Sequence, residues 1–179
     1  MQALLALARG IDALNERVGR ASMWLVLVAT LVSAGNALVR YGLDNSSNAW
    51  LEIQWYLFAM IFLFGAGYTL KHNGHVRIDV LYGRLGPRAQ AWIDLFGALL
   101  FLAPLSVLMV WMGWEFFQAS FAIREGSPDS GGLARWPIKL VIPLGFALLL
   151  LQAVAEIIKR IAVLRGWIAM PAEHAEETV

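Results

Sequence analysis

The chain has 179 residues, of which 59% are hydrophobic and 15% are charged, with a formal net charge of +1 and no cysteine. A soluble domain carries about a quarter charged residues, so this composition indicates an integral membrane protein. The absence of cysteine excludes disulfides, thiolate nucleophiles and iron–sulfur ligation. Nucleic acid is not an expected partner, because phosphate binding needs clustered lysine and arginine and this chain has no basic block.

Residues 1–20 alternate apolar and charged side chains at roughly helical spacing. This pattern predicts an amphipathic helix that lies on the membrane surface, and a solvated leader is the alternative. Asp12, Glu16 and Arg17 interrupt the apolar core that a secretory signal peptide would need. Residues 22–39 follow as the first predicted transmembrane helix.

The second predicted transmembrane helix covers residues 50–70, an almost unbroken apolar run with Glu52 at its entrance. At about 1.5 Å per residue, a helix of this length crosses about 30 Å of hydrocarbon. Asn73 and Gly74 then break the helix. For residues 75–86 we predict a short interfacial helix.

The third and fourth predicted transmembrane helices cover residues 91–121 and 136–158. The third would be about 46 Å long, so it must tilt, kink at Pro104 or protrude from the bilayer. Residues 171–179 form a short acidic tail. The predicted fold is therefore an all-α integral membrane protein, a single domain of four transmembrane helices with amphipathic interfacial helices.

The lysines and arginines fall unequally on the two sides of these four spans. Ten of the 14 lie on the side of both termini and of the loop after the second span, and four lie on the other side. By the positive-inside rule, this distribution predicts that both termini are cytoplasmic. The loops that contain Asp44 and Asp129 are then outside.

Glu52, Asp94 and Glu115 lie within predicted spans, where an unpaired charge is costly and often functional. None of them is deep enough to be cut off from an interface. Three roles stay open for Glu52 and Asp94: helix packing or partner contacts, a solvated helix end, and ion or proton coupling. Glu115 is the deepest of the three and could pair with another subunit.

The histidines give no support to a metal or haem site. His72 and His75 belong to one loop, whereas a haem held within a helix bundle needs histidines on facing helices. The sequence also lacks a plausible Ser/His/Asp set, a phosphate-binding loop and a carboxylate pair placed for hydrolysis. We therefore predict no enzymatic activity, no catalytic or metal-binding residue and no cofactor.

Three stretches of the chain carry a family resemblance. They are Glu52, Gln54, Trp55 and Tyr56 entering the second span with Gly65, Ala66 and Tyr68 leaving it, the run GHVRIDVL at 74–81, and the run REGSPDSGGLARWPIKLVIPLGF at 124–146. Over roughly residues 22–160, the chain resembles the small membrane subunit, or Q-type permease, of tripartite ATP-independent periplasmic (TRAP) transporters.

The resemblance implies a protein of the bacterial inner membrane that carries no substrate itself. A large membrane subunit would move the substrate by an elevator-like motion, and a periplasmic binding protein would deliver an organic acid, usually with sodium as the driving ion. The small subunit would brace the static part of the large one. Membrane lipid is the remaining expected partner.

The candidate site residues form two sets, which we give as expectations. Those expected to contact the large subunit are Glu52, Gln54, Tyr56, Gly74, His75, Arg77, Asp79, Asp94 and Glu115. Those expected to dock the binding protein lie in the outer loops, with ordinary solvated charges as the alternative: Asp44, Arg124, Glu125, Asp129 and Arg135.

Two other functions stay open at this point. The first is a self-sufficient homodimeric transporter, which would need Glu115 or Asp94 as its coupling acid. The second is a membrane anchor for a redox complex, against which the lack of paired histidines counts.

Overall fold

The computed structural model describes residues 2–44, 47–74 and 82–168. These residues form four long helices: α1 (Gln2–Gly42), α2 (Asn48–Lys71), α3 (Pro87–Ala122) and α4 (Trp136–Leu164). All four are long and apolar enough to cross a membrane, and the described residues contain no strand. The prediction of an all-α membrane protein with four spans is therefore confirmed.

Helix α1 is continuous over 41 residues where the sequence predicts a surface helix and a separate span. Its sequence contains no proline, so every internal backbone N–H can continue the helical hydrogen-bond pattern. A helix of this length rises about 62 Å, roughly twice the hydrocarbon thickness. The surface location of its first half stays a prediction.

The first half of α1 packs closely against the last turns of α2. A Cβ atom at Gly19 would lie 2.4 Å from the Cβ of Tyr68, and one at Gly67 would lie 2.2 Å from Oδ1 of Asn15. Real Cβ atoms do not approach other atoms this closely, so each contact requires glycine. Two glycines, one on each helix, therefore allow α1 and α2 to approach closely at this level.

Helix α3 contains a π-helical segment, Ala98–Leu102, directly before Pro104. Proline has no N–H to donate to the preceding turn, and a wider local turn accommodates this loss. The sequence leaves tilting, kinking and protrusion open for the third span. The structure places a local irregularity beside the expected proline.

Helix α4 is the common packing partner of the other three helices. Both α2 and α3 pack along it and scarcely meet each other, whereas α1 packs against α2 and, through its first half, against α4. Gly145 of α4 lies against Leu63 of α2, and Gly113 of α3 lies against Pro143 of α4. This arrangement leaves a groove between α2 and α3 with α4 as its floor.

Candidate functional site

The ionisable residues gather at the two ends of the bundle, which we name by what they carry. The loop end carries the α1–α2 connection and the 123–135 loop between α3 and α4. The terminal end carries the first half of α1, the end of α2, the start of α3 and the end of α4.

At the loop end, the carboxylate of Glu52 is buried one turn into α2, with 4% of the residue exposed. It accepts hydrogen bonds from the hydroxyl of Ser127, from the backbone N–H of Leu133 at 2.5 Å and from the guanidinium of Arg135 at 2.8 Å. All three donors belong to the 123–135 loop. Glu52 therefore fastens this loop to α2.

Further contacts hold the same loop. Asn48 donates a hydrogen bond to the carbonyl of Ser130 at 3.0 Å, and the Tyr56 hydroxyl donates one to the carbonyl of Ala134 at 2.7 Å. The Arg135 guanidinium also lies 4.9 Å from the centre of the Trp55 ring. The first turns of α2 thus contact the 123–135 loop at several points. These contacts hold the loop in place although it contains several glycines.

A second ion pair at the loop end joins Glu125 to Lys139. The Lys139 ammonium also lies 4.0 Å from the centre of the Phe116 ring, so it contacts both a carboxylate and an aromatic face. The hydrogen bond from Lys139 lowers the pKa of Glu125 below the usual glutamate range. Glu125 therefore stays ionised at neutral pH.

At the terminal end, Glu16 of α1 pairs with the end of α2. Its carboxylate lies 2.7 Å from the Lys71 ammonium and 2.8 Å from Nε2 of His72, and Arg20 approaches it at 2.7 Å from one turn further along α1. The His72 ring in turn lies 4.3 Å from the Tyr68 ring. These contacts join α1 to α2.

A polar network joins α1 to α4 at the same end. Asn15 donates a hydrogen bond to Gln152 at 3.0 Å, Gln152 donates one to Asp12 at 2.7 Å, and Lys159 lies 3.1 Å from Asp12 and 2.5 Å from Glu156. Asn15 and Gln152 are fully buried. The first half of α1 is therefore attached to α4 by buried polar contacts in addition to apolar packing.

Asp94 of α3 is also paired within the chain. Its carboxylate lies 3.2 Å from the Arg160 guanidinium of α4 and accepts a hydrogen bond from the Tyr82 hydroxyl at 2.9 Å. This contact fixes the start of α3 against the end of α4.

Glu115 differs from Glu52 and Asp94, the other two carboxylates within the predicted spans, because it is exposed on α3. It accepts a hydrogen bond from the Trp111 indole N–H at 2.7 Å, and no cation of the described segments forms an ion pair with it. Among the described residues its charge is therefore unpaired, on a surface that also exposes Trp111, Met112 and Trp114.

The remaining predicted residues are dispersed. Gln54 is half-buried, and Gly74 is exposed and closes the end of α2 through a hydrogen bond to the carbonyl of Thr69. Asp44, Arg124 and Asp129 are exposed at the loop end. Three further predicted residues lie outside the described residues: His75, Arg77 and Asp79.

The polar residues of the first half of α1 are absent from the predicted site residues. Asp12, Asn15 and Glu16 follow the spacing that places side chains on one helix face, and so do Gln152, Glu156 and Lys159 on α4. Asn15 and Asp12 pair with Gln152 and Lys159, whereas Glu16 pairs with α2. The polar face on each helix is the signal that the sequence offers, but its spacing does not say which other helix that face contacts.

The sequence model of the family described as "Tripartite ATP-independent periplasmic transporters, DctQ component" matches residues 29–163. The matched region covers most of the chain and includes α2, α3 and nearly all of α4. The chain belongs to the DctQ family. The DctQ family is a family of transporter components, and with its four apolar helices the chain is a multi-pass protein of the bacterial inner membrane.

Two relatives agree with this assignment. The C4-dicarboxylate TRAP transporter small permease protein DctQ of Pseudomonas aeruginosa is 28% identical over 144 residues, which cover 79% of this chain and 66% of the relative. A protein of Haemophilus influenzae, provisionally named a TRAP transporter small permease protein, is 28% identical over 107 residues, which cover 59% of this chain and 66% of the relative. The chain thus spans just under two thirds of the length of each relative.

Proposed function

We propose that this DctQ-family chain is the small membrane subunit of a TRAP transporter that braces a large, moving membrane subunit. In this proposal it also helps to dock a periplasmic binding protein, and the complete transporter imports an organic acid with sodium. The observation that best supports a bracing role is the pairing of the Glu52 and Asp94 carboxylates with arginines of the same chain.

An ion-coupled carrier binds and releases its ions at membrane depth, through ionisable groups or through the carbonyls of interrupted helices. Glu52 is neutralised by Arg135, and Asp94 is paired with Arg160. Each pair joins two segments that are distant in sequence, so protonation of either carboxylate would loosen the chain's own structure. These pairs suit a rigid body better than a coupling site.

The outer face of α3 is the part of the proposed large-subunit interface that the described residues support best. The exposed Glu115 carboxylate would be costly against lipid, and a cation on a partner would remove that cost. The other residues predicted to contact the large subunit give less support to this interface than Glu115 does. Tyr56 is buried and donates its hydroxyl hydrogen within the chain.

The loop end is the proposed docking surface for the binding protein. Asp44, Arg124 and Asp129 are exposed there and available to a partner. Glu125 and Arg135 are engaged within the chain, so we assign them to shaping the loop and not to direct contact. The predicted periplasmic location of this end is part of the proposal.

A pull-down from mildly solubilised membranes tests the bracing role. The tagged chain should co-purify with a much larger polytopic membrane protein, identified by mass spectrometry. Reconstitution of that protein with and without the chain should then show transport only in the presence of both. Recovery of the chain as a homodimer that transports alone, with transport abolished by Glu115→Gln, would overturn the proposal in favour of the self-sufficient transporter.

A further inference from the structure

The groove between α2 and α3 contains a cavity of about 540 Å³ at the loop end. This volume lies within the range of about 300–1,000 Å³ that is usual for small-molecule sites. Trp55 and Ala59 of α2 form one wall, Phe116 of α3 forms the other, and α4 forms the floor. No role has been given to this cavity by the contacts described above.

The cavity is apolar inside and charged at its mouth. Ala59 and Ile142 line the part further from the end of the bundle, whereas Arg135, Lys139 and the Glu125 carboxylate paired with Lys139 lie nearer that end. A single cavity thus offers an apolar surface at membrane depth and cations near the membrane boundary. Amphipathic molecules of the bilayer have the same division between tail and headgroup.

Lys139 keeps hydrogen-bond donors beyond the one already used. One terminal nitrogen of Arg135 donates to Glu52 and Ser127, and its Nε–H, which has no acceptor within the described residues, is buried and out of reach of a molecule in the cavity. The Lys139 ammonium has three N–H donors, of which Glu125 accepts one. An oxyanion beside Lys139 would accept hydrogen bonds from the N–H donors that Glu125 leaves unused.

The size of the cavity argues against a helix of a partner protein as its occupant. A helix about 10–12 Å across fills roughly 500 Å³ in a single turn of about 5.4 Å, so the cavity holds little more than one turn. A soluble organic acid would reach the cations but leave the apolar walls of Ala59 and Ile142 unfilled. A flexible acyl chain fills a narrow apolar groove without either difficulty.

We propose that this cavity binds a phospholipid of the bilayer. Its phosphate accepts hydrogen bonds from Lys139 and lies near the positive charge of Arg135, and an acyl chain lies along Ala59, Ile138 and Ile142 between α2 and α3. The bound lipid fills the space that α2 and α3 leave because both pack on α4. It is a fixed component of the bundle, unlike the lipids that exchange around it.

Native mass spectrometry of the 179-residue chain tests this site, with phosphatidylethanolamine and phosphatidylglycerol added as probes. The wild-type chain should retain one phospholipid at an activation energy that removes the others. Lys139→Gln should bind about tenfold more weakly, as expected for loss of one charge-assisted hydrogen bond, whereas Lys139→Arg should retain the lipid. Equal retention by wild type and Lys139→Gln would overturn the proposal.

Replacements of Ala59, with a control replacement of Ala34, test the acyl-chain part of the cavity. Ala59→Phe fills the groove and should prevent retention, whereas Ala34→Phe, on an exposed position of α1, is the matched control and should not. Because the chain has no cysteine, Ala59→Cys gives a single thiol for an independent measurement. Added phospholipid should slow its modification by a maleimide, and an unchanged rate would contradict the proposed site even if Ala59→Phe fails to fold.

Discussion

The Glu52 carboxylate and the Arg135 guanidinium lie 2.8 Å apart although 83 residues separate them in the sequence. The pair joins the first turn of α2 to the end of the 123–135 loop. Both residues are largely buried, so neither charge is well hydrated without the other. The pair therefore explains how a loop rich in glycine and serine keeps one arrangement.

Glu52→Gln should loosen this loop. The substitution leaves Arg135 without its carboxylate partner, and an uncompensated, largely buried charge is strongly destabilising. We expect the midpoint of thermal unfolding in detergent to fall by several degrees and protease cleavage within the loop to accelerate. Asp129→Asn, an exposed change in the same loop, is the control and should alter neither value.

Gly67→Ala should destabilise the contact between α1 and α2. The new Cβ would lie 2.2 Å from Oδ1 of Asn15, which is itself buried and hydrogen-bonded to Gln152. Gly35→Ala is the matched control, because a Cβ there meets nothing within 4 Å. The control should be neutral or stabilising by up to about 1 kcal/mol, since alanine has the higher helix propensity. Equal behaviour of the two variants would contradict the close approach of the helices.

Asn15 and Gln152 should show energetic coupling. Their hydrogen bond of 3.0 Å is buried and joins α1 to α4. In a double-mutant cycle of Asn15→Ala, Gln152→Ala and the double variant, we expect a coupling of about 1 kcal/mol in the free energy of unfolding. Additive effects would instead mean that the first half of α1 is held by its other contacts.

Asp94→Asn and Glu115→Gln should have different effects on the stability of the isolated chain and on co-purification of the large subunit. Asp94 pairs with Arg160, so its amide should lower the stability of the isolated chain. Glu115 has only the Trp111 hydrogen bond within the described residues, so its amide should leave that stability nearly unchanged while reducing co-purification of the large subunit. Thermal unfolding and pull-down yield, measured on the same two variants, distinguish these outcomes.

Acidification should weaken the Glu125–Lys139 ion pair. Because pairing lowers the folded-state pKa of Glu125, the stabilisation is fully present above the ordinary glutamate pKa of about 4.3 and is lost as pH falls through the lowered value. We expect the stability difference between wild type and Glu125→Gln to shrink below about pH 4.3. A difference that is independent of pH would contradict a role for the charge.

The four membrane spans could be predicted from sequence because each is a local property. An apolar run of sufficient length must satisfy its backbone hydrogen bonds within itself when it lies in lipid, so it forms a helix whatever its neighbours are. The family resemblance had the same local origin, in the motifs of the second span, of the run at 74–81 and of the 124–146 stretch. The match over residues 29–163 confirmed it.

Only the tertiary structure decided which polar residues meet. The Asp12–Lys159 pair spans 147 residues and the Glu52–Arg135 pair spans 83, and spacing along one helix does not say which face of another helix it will contact. The partners of the polar residues in the first half of α1 were likewise visible only in the tertiary structure, where they lie on α2 and α4. An amphipathic pattern identifies a face that needs a polar surrounding, and the packed neighbours determine whether that surrounding is the membrane surface or other helices.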